Sequence, residues 1–60
     1  MDSLDQLIGI MKDEIMSAAD ETDKFNGGNK SAGTRVRKHM QNIKSLAQRV
    51  RTEVQEIKNA

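Results

Sequence analysis

Apolar residues in the first part of the chain step by alternating fours and threes, through Leu4, Ile8, Met11, Ile15, Ala18 and, past Thr22 in the same register, Phe25. Val36, Met40, Ile43, Ala47, Val50, Val54 and Ile57 keep the same rhythm in the second part. A repeat of this kind lays each set along one face of a helix, as the seam of a packed pair, whereas a strand would alternate every second residue. Between the two sets, Asn26-Gly27-Gly28-Asn29 is the one stretch rich in helix-breaking residues. A glycine there can take the left-handed conformation that closes a helix, and Asn29 or Ser31 can accept hydrogen bonds from the free amides opening the next. The pattern predicts an all-α fold: one domain over residues 1–60, with a helix from about 3 to 26, a turn at 26–29 and a helix from about 30 to 58. At ~1.5 Å of rise per residue each helix is about 35–40 Å long. So short a connection favours an antiparallel two-helix hairpin with heptad seams, a nearly continuous bent helix within a dimer being the other option.

The hairpin is not expected to stand alone. Ile10 and Met16 fall off the first stripe and Leu46 lies at the edge of the second. A chain of this size buries only about 60% of the surface its unfolded form exposes. We expect self-association, first as a homodimer forming a four-helix bundle and next as a tetramer or higher oligomer.

Composition agrees with helices and narrows the chemistry. Proline, tryptophan, tyrosine and cysteine are absent and Phe25 is the only aromatic residue. Disulfides, thiolate metal sites and a cysteine nucleophile are thereby excluded, which is compatible with a reducing cytoplasm. No apolar run approaches the ~18 residues of a membrane span, and the acidic start Met1-Asp2-Ser3-Leu4-Asp5 is unlike a basic secretory signal. These features predict a soluble intracellular chain with no membrane partner.

The net charge of +1 conceals two opposite halves. Residues 1–28 hold seven acids against Lys12 and Lys24, while residues 29–60 hold eight bases against Glu53 and Glu56. Such halves are separate surfaces, and the basic one is a candidate for meeting phosphates.

The run from Phe25 to Lys38 has the look of a phosphate loop, with glycines ahead of Lys30-Ser31. A nucleotide-binding loop needs glycines where this chain has Lys24 and Asn29, and a buried strand before it, so nucleotide hydrolysis is excluded. As structure the run is a turn and a helix start. Its cations remain to be explained, because Lys30 and Arg35 sit in the opening turns of a helix, where the positive end of the dipole disfavours them. An external phosphate oxygen is the counter-charge that suits such a position. Gly33 falls on the seam inside a helix, at a cost of about 1 kcal/mol relative to alanine. Close packing against the first helix near the turn is the expected reason.

Further along, Arg37, Lys44, Arg51 and Lys58 recur every seven residues on one flank of the second stripe, and Arg35, Lys38 and Arg49 fall on the other. Glu14 and Glu21, beside the first seam, can pair with one flank in the manner of a coiled coil. They cannot absorb both, which leaves arginine and lysine for phosphates. Without tyrosine or tryptophan there is no platform on which bases could stack, so contacts should be with the backbone and weakly selective for sequence. His39, the only histidine, reads as a packing or interface residue with no second metal ligand beside it. No nucleophile, base and orienting residue form a set, so we expect no enzyme, no metal, no cofactor and no small-molecule substrate.

The run Gly28-Asn29-Lys30-Ser31-Ala32-Gly33-Thr34-Arg35-Val36-Arg37-Lys38, followed by a helix carrying Leu46-Ala47, Arg51 and Glu53, resembles the bacterial linker-histone-like family, whose best-known members are the chlamydial histone-like nucleoid proteins. The resemblance also extends to short relatives in Bacteroidetes-type bacteria, and it lies with the family's helical, self-associating portion, not its lysine- and alanine-rich tail. It implies a histone-like, nucleoid-associated protein of the bacterial cytoplasm that binds duplex DNA with little sequence preference. Together with the charge pattern, it makes Lys30, Arg35, Arg37, Lys38, Lys44 and Arg51 the candidate nucleic-acid contacts. The competing reading is a coiled-coil-type module that assembles with itself or another protein and binds no nucleic acid.

Overall fold

The computed structural model describes residues 3–60, so Met1 and Asp2 of the acidic start lie outside it. It is an antiparallel hairpin of two helices, α1 over Ser3–Asn26 and α2 over Lys30–Asn59, with no strand among the described residues. Local chemistry fixes the turn. Gly28 has φ +106°, a left-handed value that glycine adopts without the clash a side chain would bring. With it in place the Asn29 amide donates to the Lys24 carbonyl at 3.0 Å and the Gly28 amide to the Phe25 carbonyl at 3.0 Å, the paired bonds of a Schellman closure. Asn29 also opens α2, its side-chain oxygen accepting from the Ala32 amide at 3.2 Å. One asparagine thus closes one helix and starts the next, and Ser31 is not the cap.

The helices pack along a seam rotated from the expected one. Among the described residues Leu7, Ala18, Ala32 and Leu46 are the buried apolar ones. Leu4, Met11, Glu14 and Glu21 on α1, and Val36, His39, Ile43, Val50 and Glu53 on α2, are half-buried beside them. Leu4, Met11, Ala18 and Phe25 belong both to the expected stripe and to the seam. The second column is different: the hairpin takes Leu7, Glu14 and Glu21 where the apolar rhythm offered Ile8, Ile15 and Thr22. On α2 it likewise takes His39, Leu46 and Glu53 in place of Met40, Ala47 and Val54. Exchanging one column for its neighbour, ~100° away, turns each helix by about 50°.

The cause lies in the pairs that the turn brings opposite one another. Small Ala18 and Ala32 let the helices approach, Leu7 and Leu46 fill the seam, and the carboxylates in it find partners across the hairpin. Arg35 Nε donates to Glu21 Oε1 at 2.8 Å, Asn42 Nδ2 donates to Glu14 Oε2 at 2.9 Å, and His39 Nδ1 meets that same oxygen at 2.5 Å. No buried side-chain nitrogen or oxygen among the described residues lacks a partner. Gly33 does what its place on the stripe predicts: a Cβ there would lie 2.7 Å from Phe25 Cε1, so the missing side chain lets the ring rest on α2.

Candidate nucleic-acid interface

The heptad spacing of α2 arranges its cations before any tertiary contact is made. Lys30, Arg37, Lys44, Arg51 and Lys58 are seven residues apart, which places them along one side of the helix, drifting ~20° per step, at about 10.5 Å intervals over about 42 Å. All five are exposed. None has a carboxylate within ion-pair distance among the described residues. The row runs along the outer edge of the side that also carries Met40, Ala47 and Val54.

The other flank is different. Arg35 is held by Glu21 across the hairpin, and this bond is the main cause that keeps the Glu21 carboxyl below the ordinary glutamate range, with the positive charges of Arg35 and Lys24 adding to it. Lys24 reaches the second oxygen of Glu21 at 4.0 Å. Lys38 is exposed one residue beyond Arg37, turned about 100° around the helix and so off the line. Of the candidate contacts, Lys30, Arg37, Lys44 and Arg51 therefore stand together in one row, Lys38 stands beside it and Arg35 is engaged inside the fold. Lys58, which continues the row, was readable from its seven-residue distance to Arg51.

At mid-hairpin Glu14 accepts from His39 and Asn42. An ionised carboxylate can only accept, so Nδ1 of His39 carries the hydrogen. The bond from His39, followed by that from Asn42, holds the Glu14 carboxyl below its ordinary value. This cluster ties the two helices in register. No group of three or more metal-ligating side chains occurs among the described residues, and none of their helices is long and apolar enough to cross a membrane.

A family model described as histone H1-like protein Hc1 matches residues 5–60. The chain belongs to this family of histone H1-like proteins. The match takes in all of α2 and the acidic α1 from Asp5 onward. Histone H1-like proteins of this kind are DNA-associated structural proteins of the nucleoid and not enzymes. Among curated proteins and among solved structures nothing matches the chain.

Proposed function

We propose that this histone H1-like chain binds duplex DNA through its phosphate backbone, without reading sequence, and that the contact is the row Lys30, Arg37, Lys44, Arg51 and Lys58, with Lys38 beside it. The observation that carries the reading is that row: five exposed cations along one side of α2, with no carboxylate partner among the described residues. Its ~42 Å length exceeds the ~34 Å helical turn of DNA, so a rod of this kind can meet phosphates on successive turns. The helix start adds to it. Lys30 stands at the first position of α2, where the positive end of the dipole and the free amides favour an anion. Arg35 is a reserve contact, reached only if it leaves Glu21.

Affinity for random duplex DNA measured across a salt series tests this. Five phosphate contacts give a log–log slope of about −4.5, and replacing Arg37, Lys44 and Arg51 by alanine should flatten it by about 2.7. The variant should keep its helicity, because the three side chains are exposed. An absence of binding at low salt, or a slope unchanged in the variant, refutes the proposal. In the first case the competing reading, assembly without nucleic acid, takes its place.

A further inference from the structure

The rotated seam leaves a largely apolar column of each helix beside it, with Ile8, Ile15, Met40 and Val54 exposed. In an antiparallel pair, the residues that directly follow the second seam column lie on the same side of both helices. Here those are Ile8, Ile15 and Thr22 on α1, and Met40, Ala47 and Val54 on α2, all of them exposed except Ala47, which is half-buried. Near the turn, Thr22, Phe25, Gly33 and Val36 line a cleft on that side, with Lys30 and Arg37 of the cation row also lining it. Of the eight large apolar side chains exposed among the described residues, four (Ile8, Ile15, Met40 and Val54) lie in these two columns, Phe25 and Ile57 sit at the two ends of the seam, and Ile10 and Met16 lie elsewhere. The broad face of the hairpin measures 49 × 15 Å between Cα extremes. That is roughly 700 Å², close to the ~800 Å² per partner of a standard stable interface.

We infer that a second copy of the chain covers this face, with α1 of each copy lying on α2 of the other and both turns at the same end, so that the rod carries one cation row along each of two opposite edges and joins two DNA duplexes. Charge selects this arrangement over the alternative two-fold dimer. With the turns at opposite ends, α2 would lie on the partner's α2 and the five cations of one row would face the five of the other. With the turns at the same end, the row faces the corresponding edge of the partner's α1, which carries Asp5, Lys12, Ala19 and Asn26 and so has no net charge. Every neighbouring helix pair is then antiparallel. The two rows end up diagonally opposed, about 20 Å apart given ~10 Å between neighbouring axes. The DNA-binding half of this inference rests on the function proposed above; the dimer does not.

The chain has no cysteine, so single cysteines report the arrangement directly. Light scattering should give twice the 6.7 kDa chain mass. Ile15→Cys and Met40→Cys chains, mixed and oxidised, should form a disulfide joining one of each, because those positions face each other across the proposed interface. A monomer at tens of micromolar, or a disulfide between two Ile15→Cys chains as the turns-opposed dimer requires, overturns the dimer. The linked pair then tests the joining of duplexes. With both rows intact it should capture a labelled duplex onto an immobilised one. When the Met40→Cys partner also carries Arg37→Ala, Lys44→Ala and Arg51→Ala, it should still bind a single duplex but lose the capture. Capture that persists with one row overturns the two-edge geometry and leaves DNA binding standing, whereas a linked pair that binds no duplex at all overturns the binding reading and leaves the dimer.

Discussion

Gly33→Ala isolates the contact that closes the turn end of the hairpin. Alanine is favoured over glycine in a helix interior by about 1 kcal/mol, so a substitution without neighbours would stabilise α2 by that amount. Gly33 has a neighbour. The new Cβ would stand 2.7 Å from Cε1 and 2.8 Å from Cδ1 of Phe25, against ~3.5–4.0 Å for carbon atoms in contact, so the ring has to retreat by about 1 Å. Phe25 is 50% exposed and has room to move outward, at the loss of its packing on α2. Full burial of a phenylalanine contributes up to ~3 kcal/mol, which makes the half-buried ring worth about 1–1.5 kcal/mol. The two effects nearly cancel, and Gly33→Ala in the parent chain should be neutral or destabilising by up to about 0.5 kcal/mol. In a Phe25→Ala background the obstacle is gone and the same change should stabilise by the full ~1 kcal/mol. The coupling of about 1–1.5 kcal/mol stands above the ~0.5 kcal/mol error of such cycles. Urea unfolding followed by circular dichroism, at one fixed chain concentration so that association does not enter the comparison, measures all four variants. Equal stabilisation by Gly33→Ala in both backgrounds would refute the packing role of this glycine.

The remaining predictions address the cap, the seam and the engaged arginine. Asn29→Ala removes the side-chain acceptor for the Ala32 amide and should cost about 1 kcal/mol in the same urea assay. Leu7→Ala or Leu46→Ala, at 5% and 9% exposure, should cost about 2–4 kcal/mol, whereas Met16→Ala, at 67%, should stay within about 0.5 kcal/mol; equal losses would place the seam elsewhere. Glu14 and Glu21 both have carboxyls depressed by their partners, so their contribution is present above the ordinary glutamate value of 4.5 and is lost as pH falls through the lower folded-state values. Thermal midpoints should therefore fall more steeply below pH 4.5 in the parent than in Glu14→Gln, and parallel curves would contradict the His39 and Asn42 contacts. Glu21→Gln releases Arg35 and should steepen the salt slope of DNA binding by about 0.9, which an unchanged slope would disprove.

What could be read from the sequence, and what could not, follows from how local each cause is. The two helices and their turn are written in neighbouring residues: Gly28 at the left-handed position, and Asn29 within reach of the Ala32 amide. The cation row depends only on seven-residue spacing, so it too was legible. The seam column was not, because Leu7 and Ile8 are adjacent and equally apolar, and the choice between them rests on what α2 presents opposite. Glu14, Glu21 and His39 disguised that choice further, since polar residues in a seam are acceptable only once their partners 14 to 28 positions away are in place. That Glu21 would pair with one basic flank was legible, but that Arg35 is its partner was not, for the same reason. Once the register is known, the arrangement points outward. Turning each helix by about 50° would bury Ile8, Ile15, Met40 and Val54, but would expose Leu7 and Leu46 and leave the two glutamates and the histidine in water. This chain does the reverse: the apolar first columns and the hydrogen-bonded second columns form the seam, while Ile8, Ile15, Met40 and Val54 face out beside the row of cations. An outward apolar face costs solubility and stability unless it is covered, and covering it with a second copy, turns at the same end, leaves both cation rows exposed.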